Sequence, residues 1–416
     1  MQSEIQAKLA KQPLCAGSQI AEADLRQILE KAILAPSGHN WQPWQFRIRQ
    51  DGVELHIVRQ PIMEFIEQDD HARYLSAGAV IENMCISAAS LGYSVVAQYF
   101  PIPENPLFVA YIRFTGLSPA DYHLLDLCHL LDARCTNRGF YDAAQPMDYS
   151  KLLTLSQLAS QTASTRLVWI GRDTAEFPMV AGLCGRSEQL FFECERGHAE
   201  ILEGIRFRTE SAAMQRDGLD VRTLDLGPMG TAMLKTCRSW NVQTLLNQFG
   251  ASRLVNFVTQ RQIKSSSAVG LVISDSSDHL SVVLSGRVME RIWLVATKLG
   301  LSLQPLYAIL PLIRYPTSRE RFFSASQILA IERMVGDFRM LFGCSESNAQ
   351  FLFRIGHGCT PKVRSLRKPL ASFILTDERS GSSLTESCHN FEPIRTPLSD
   401  KLVNTAQLRI EPSEVS

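Results

Sequence analysis

The sequence predicts an α+β fold in which two related α/β halves pack as a pseudo-dimer within one chain. Three observations lead there. A gapless internal repeat aligns "GAVIENMCISAASLGYS" (78–94) with "GRVMERIWLVATKLGLS" (286–302), so that Gly78 meets Gly286, Glu82 meets Glu290 and Gly92 meets Gly300. Each repeat follows a helix-then-strand pattern of its own. The two halves have also kept different polar residues, which complement one another.

Taken in order, "DLRQILEKAILA" carries apolar residues at helical spacing and "WQFRIR" alternates as a strand. The turn "PSGHNWQPW" joins them. Its Pro36, Ser37 and Gly38 are turn formers with little side chain. Trp41 and Trp44 read as core anchors beneath it rather than stacking partners, and His39 as a solvent-facing loop residue, with approach to a bound ligand as the alternative. The repeat helix of the first half ends at Gly92, where a left-handed cap belongs. The second half opens with "DARCTNRGFY" (132–141), followed by the helix pattern "DYSKLLTLSQLASQ" and the strand "TRLVWIG". Residues 216–262 belong to neither repeated element. Their Gly-Pro turn, Gly-Ala-Ser break and amphipathic runs read as one or two helices of a long insertion, a lid or a peripheral subdomain. The second repeat helix ends at Gly300 and leads into "QPLYA" (304–308). The divisions expected are a first half over 1–125, a second half over 126–370 and a polar tail over 371–416, mobile or laid as an arm on the body.

Composition narrows the function classes. The 416 residues include 42 Lys+Arg against 42 Asp+Glu, so no global field draws the chain to nucleic acid or anionic lipid. The 10 Cys are scattered without a CxxC, as expected of free thiols in a reducing compartment. The N-terminal residues lack the apolar core of a signal peptide. The most apolar run, from Ile292 to Ile313, is interrupted by Lys298, Gln304, Pro305 and Pro311 and reads as buried rather than membrane-spanning. A cytoplasmic location is expected. No Walker loop, GxGxxG, GxSxG or HExxH occurs, so kinase, Rossmann dehydrogenase, hydrolase and zincin readings have no support.

At these motifs the chain resembles the FMN-dependent nitroreductase superfamily. "APSGHNWQPWQF" is similar to that family's Pro-Ser-x-x-Asn-x-Gln-Pro-Trp motif, and "RCTNRGFY" to its Arg-x-Ser-x-Arg-x-Phe motif, with Thr136 in the Ser place. The Gly-led helix ending in Leu-Gly-Leu resembles the family's long central helix, and "RIGHGCTPKVRSLRKPL" its closing strand and Arg-x-Pro tail. The duplicated length further resembles the flavin-sequestering branch known from mycobacteria, where one chain mimics a homodimer and a lid covers the flavin.

The resemblance implies a cofactor, FMN, and site residues for it. Arg134, Thr136 and Arg138 would grip the phosphate, helped by Arg364 and Arg367, with Arg364 one residue off the family's basic position. Ionised, forked donors suit a dianion. Pro36, Ser37 and Gly38 would form a wall on which the ring lies, and Asn40 would offer donor and acceptor to its pyrimidine edge. Pro305, Leu306 and Tyr307 match the segment whose backbone N–H faces the flavin N5, with Tyr307 the candidate donor. The first half offers only Lys11 and Cys15 opposite Arg134 and Arg138, which implies one FMN per monomeric chain. The expected activity is hydride transfer from NAD(P)H through FMN to a nitroaromatic, a quinone or a biosynthetic substrate. No dedicated acid or base is needed, and alternation at one ring face implies ping-pong kinetics. The alternative is a lid-covered flavin store without turnover.

Overall fold

A computed structural model describes residues 20–59, 65, 67–162, 164–315 and 320–376. Lys11, Cys15 and the tail beyond residue 376 lie outside the described residues.

The first half runs α1 (Glu22–Ala32), β1 (Trp44–Arg49), β2 (Gly52–Ile57), α2 (His71–Ser90), β3 (Tyr93–Tyr99) and β4 (Phe108–Gly116). The second repeats this plan with α3 (Tyr149–Ser160) and β5 (Thr165–Gly171), then departs from it. A largely helical insert follows: α4 (Phe177–Glu193), α5 (Glu195–Glu203), β6 (Ile205–Arg206), α6 (Thr209–Gln215), β7 (Leu219–Asp220), α7 (Gly227–Thr236), α8 (Trp240–Gln248) and α9 (Ala251–Lys264). The plan resumes with β8 (Ala268–Ser274), α10 (His279–Lys298) and β9 (Ser302–Pro305). After α11 (Ile309–Arg314) and α12 (Ala325–Phe342), β10 (Ala349–Gly356) completes it. The insert between β5 and β8 includes the 216–262 stretch together with α4 to α6.

The two four-stranded sheets are antiparallel and share one order. It is β1-β2-β4-β3 in the first half and β5-β8-β10-β9 in the second. This is an α+β fold of two similar halves. Pattern explains the elements. In α1, Leu25, Ile28, Leu29 and Ala32 form one buried stripe, with Glu22 and Asp24 at the positive end of the helix dipole and Lys31 at the negative end. Strands β8 and β10 are buried along their whole length because helices cover both faces of their sheet. Val272, Phe351 and Phe353 belong to the core that includes α2 and α10, while Leu271, Ile273 and Leu352 belong to the one that includes α4, α11 and α12.

The halves meet where α2 and α10 cross, and the contact is reciprocal. A Cβ on Gly78 would lie 2.0 Å from the Val283 carbonyl oxygen, and one on Gly286 would lie 2.1 Å from that of Leu75. Only glycine lets the two backbones approach this closely. Gly92 and Gly300, with φ of +90° and +73°, end the helix-to-strand turns. The chain beyond β10 crosses back to the first half. Phe46 forms a parallel bridge with Ile374, and Leu375 N–H donates to the Phe46 carbonyl at 2.8 Å. No helix among the described residues is long and apolar enough to cross a membrane.

Candidate functional site

The 36–42 turn leaves the C-terminal end of α1 and is held by its own side chains. Ser37 Oγ accepts from Gln42 N–H at 2.9 Å, and His39, Asn40 and Gln42 all adopt positive φ. Pro36, Ser37 and Gly38 line a cavity of about 500 Å³, together with Thr136, Arg138, Pro305 and Tyr307. A second cavity of about 200 Å³ shares Pro36, Ser37, Thr136 and Arg138 with it and is lined also by Arg134, Arg364 and Arg367. Motifs distant in sequence therefore converge on two adjoining spaces, one broad and one arginine-lined.

The arginines are not equivalent. Arg367 donates to the Ile33, Leu34 and Ala35 carbonyls at 3.1, 3.1 and 3.0 Å, so it caps the C-terminus of α1. Arg364 donates to the Asp132 and Ala133 carbonyls. Arg134 lies 3.0 Å from Glu290 and 4.7 Å above the Trp293 ring. Arg138 has one polar contact from its guanidinium, to the Thr223 carbonyl at 3.3 Å, and no carboxylate within ion-pair distance among the described residues. Loss of water holds its pKa down to about 10, and the same cause, reinforced by the Arg134 charge, holds Arg367 down to about 9. An anion in the smaller cavity would supply the partner that Arg138 lacks. The residues present therefore fit a bound phosphate.

Two expectations need correction. Asn40 does not present a free amide: its nitrogen donates to the Gly218 and Leu366 carbonyls at 3.1 and 2.9 Å, and its oxygen accepts from Arg367 at 2.7 Å. It locks the turn to the insert and to the returning C-terminal segment. His39 is partly exposed rather than fully solvent-facing, as the alternative reading had it. It lines the larger cavity, where burial and then the Arg138 charge push it down to about 4. Trp44 is a core residue packed 6.0 Å from Phe373, and the Trp41 ring lies under Arg206 at 5.2 Å. Tyr307 N–H meets no acceptor among the described residues, although the preceding N–H, of Leu306, donates to Leu352 at 2.8 Å.

The repeat explains how Arg134 is held. Glu82 of α2 reaches Arg287 and Arg291 of α10 at 2.9 and 2.7 Å, and against its burial these charges hold it down to about 2. For its counterpart Glu290, the positions equivalent to Arg287 and Arg291 are Ala79 and Asn83, so its cation comes from Arg134. Burial prevails there and raises Glu290 to about 7. One repeated position serves as a helix-to-helix clamp in one half and as an anchor for the site in the other.

Several residues were missed in the sequence. Arg354, fully buried within the apolar strand β10, donates to Gln304 Oε1, the Gln262 carbonyl and the Gly139 carbonyl at 2.6, 2.7 and 2.6 Å. It fixes the loop that carries Arg138, and its charge inside "FLFRIG" was the available signal. Glu67 also lines the larger cavity, with a side chain only 5% exposed. Its Oε1 lies 3.4 Å from Tyr307 Oη, while its Oε2 has no hydrogen-bond partner. Tyr307 Oη lies 3.4 Å from His71 Nδ1, and His71 Nε2 lies 3.0 Å from Gln350 Oε1. That last contact makes Nε2 the donor and leaves Nδ1 to accept. Burial pushes Glu67 up to about 8 and His71 down to about 3. No sequence pattern places Glu67 beside Tyr307, since the two lie on different halves.

No family model matches the chain. It is 25% identical over 347 residues to an uncharacterized protein of Mycobacterium tuberculosis, covering 82% of this chain and 47% of that one. It is 29% identical over 182 residues to the putative NAD(P)H nitroreductase acg of the same species, covering 42% of this chain and 52% of that one. It is 24% identical over 312 residues to the probable NAD(P)H nitroreductase PigM of a Serratia species, covering 72% of this chain and 83% of that one. The chain spans about half the length of the first two relatives. The crystal structure of the FMN-dependent nitroreductase NfnB of Mycobacterium smegmatis with NADPH aligns with 61% of this chain and 100% of its own at 14% identity. Its TM-score is 0.34. In sequence, the match to NAD(P)H nitroreductases is distant but consistent.

Proposed function

We propose that the chain is an FMN-dependent oxidoreductase of nitroreductase type, which takes hydride from NAD(P)H and passes it to an electron-poor acceptor. One observation carries this reading: the Arg138 guanidinium, without a counter-charge among the described residues, lines both an arginine-lined cavity and a broad one walled by Pro36–Gly38 and Tyr307. FMN, when bound, supplies the hydride transfer. The chain's residues do the rest. Arg138 and the Thr136 hydroxyl, which has no partner among the described residues, hold the phosphate, and Arg134, Arg364 and Arg367 add positive field. The 36–38 turn supports the ring, and the free Tyr307 N–H is the donor available to its edge. Glu67 keeps a proton at the cavity wall beside Tyr307 Oη.

The test is anaerobic mixing of purified, FMN-reconstituted protein with NADPH or NADH, followed by a panel of nitroaromatics and quinones. Rapid bleaching and acceptor-dependent recovery are expected. Tight flavin that neither nucleotide reduces would leave the storage reading standing. Arg138→Ala should weaken FMN retention about 10- to 150-fold, the loss of one charge-assisted contact. Full retention in that variant overturns the phosphate assignment.

A further inference from the structure

The larger cavity reaches well past the 36–38 turn into the insert. One face of α9, with Leu254, Val255 and Val258, closes it together with Phe191 of α4 and Met233 and Leu234 of α7. Within this apolar wall stands Glu188 of α4. Its carboxyl has no hydrogen-bond or ion partner among the described residues, and no neighbouring charge offsets its burial, which raises it to about 7. Glu67, the other carboxyl of the cavity, already faces Arg73 at 3.7 Å and Tyr307. A carboxyl kept in an apolar wall without a partner is costly unless a ligand supplies one. The cavity of about 500 Å³ thus has two ends, the 36–38 turn where the flavin ring is proposed to lie and this chamber against the insert.

We infer that this chamber binds an apolar, ring-sized molecule carrying a basic nitrogen, with the protonated nitrogen on the Glu188 carboxylate and the apolar body along α9. The inference deepens the oxidoreductase reading, on which it rests only for the statement that the far end of the molecule is the reacting end. An amine pairs with the one uncompensated carboxyl, whereas an anionic ligand of the same body would meet it with like charge. An uncharged ligand would gain the apolar contacts and leave the carboxyl unpaired.

Equilibrium dialysis of the full chain against 1-naphthylmethylamine, 1-methylnaphthalene and 1-naphthoic acid tests this, with and without added FMN. The amine should bind about 10- to 100-fold more tightly than methylnaphthalene, the range of one charge-assisted contact. Glu188→Gln should abolish that preference while leaving methylnaphthalene affinity unchanged, which also reports an intact chamber. Equal affinities, preference for the acid, no measurable binding of any probe, or a preference that survives Glu188→Gln would each overturn the inference. Flavin content measured on the same samples separates the two readings. Amine preference without flavin retention sinks only the oxidoreductase proposal, and flavin retention without amine preference sinks only this one.

Discussion

At the scale of single residues, the site is governed by what burial does to ionisable groups. Glu67 keeps its proton to about pH 8 against an ordinary value of 4.5, so folding favours the protonated form. Its contribution to stability is fully present below about pH 4.5 and is lost as pH rises through about 8. His39 and His71 run the other way. Their values fall from 6.5 to about 4 and about 3, so their contribution is present above pH 6.5 and is lost on acidification through those lower values. Between about pH 6.5 and pH 8 the carboxyls dominate. Melting temperature should therefore fall across that interval, and Glu67→Gln should flatten the fall by about 1–2 kcal/mol in stability. Glu188 and Glu290, both raised to about 7, leave the variant some residual slope. Parallel pH–stability curves for the two proteins would show that Glu67 is already ionised in the fold.

At the scale of elements, the α2–α10 crossing carries the most demanding constraint. Gly286→Ala would put a methyl 2.1 Å from one backbone oxygen and 2.8 Å from the carbon that bears it. Neither can yield as a flexible side chain would. Overpacking of this kind costs about 1–3 kcal/mol or more. Gly336 in α12 is the matched control, because nothing lies within 4 Å of its Cβ direction. Gly336→Ala should stabilise by up to about 1 kcal/mol through helix propensity. Thermal melts that rank the two variants in the opposite order would refute the close crossing. Arg354 works at this scale as well, since it ties β10, β9, α9 and the Arg138 loop through one guanidinium. The sequence shows the charge but cannot show which elements it joins.

For the whole molecule, the two halves are alike in plan and unlike in chemistry. The first half contributes the 36–42 turn and Glu67, while the second contributes the arginine loop, the Tyr307 segment and the helical insert. Each cavity is lined by both halves, so one chain contains everything the proposed site needs. We expect a monomer carrying one FMN. Sedimentation at micromolar concentration, with flavin counted by absorbance after heat release, checks both numbers. A tight dimer, or a ratio near two, would mean that the repeat has kept a second working cleft or a second partner.

The sequence by itself determined the repeat, the turn and the motif residues, because helical period, glycine caps and turn chemistry are local properties of the chain. The resemblance of the motifs led to the expectation that Pro36–Gly38, Thr136, Arg138 and Tyr307 act together, and all of them line the larger cavity. Only the tertiary structure decided how their polar groups are used. Asn40 and Arg367 satisfy each other and the end of α1, Arg134 is held by Glu290, and Arg138 keeps one long carbonyl contact and no counter-charge among the described residues. Glu67, His71 and Glu188 join the site for the same reason. Hydrogen-bond partnership and burial depend on which distant segments share a volume, and no local pattern encodes that sharing.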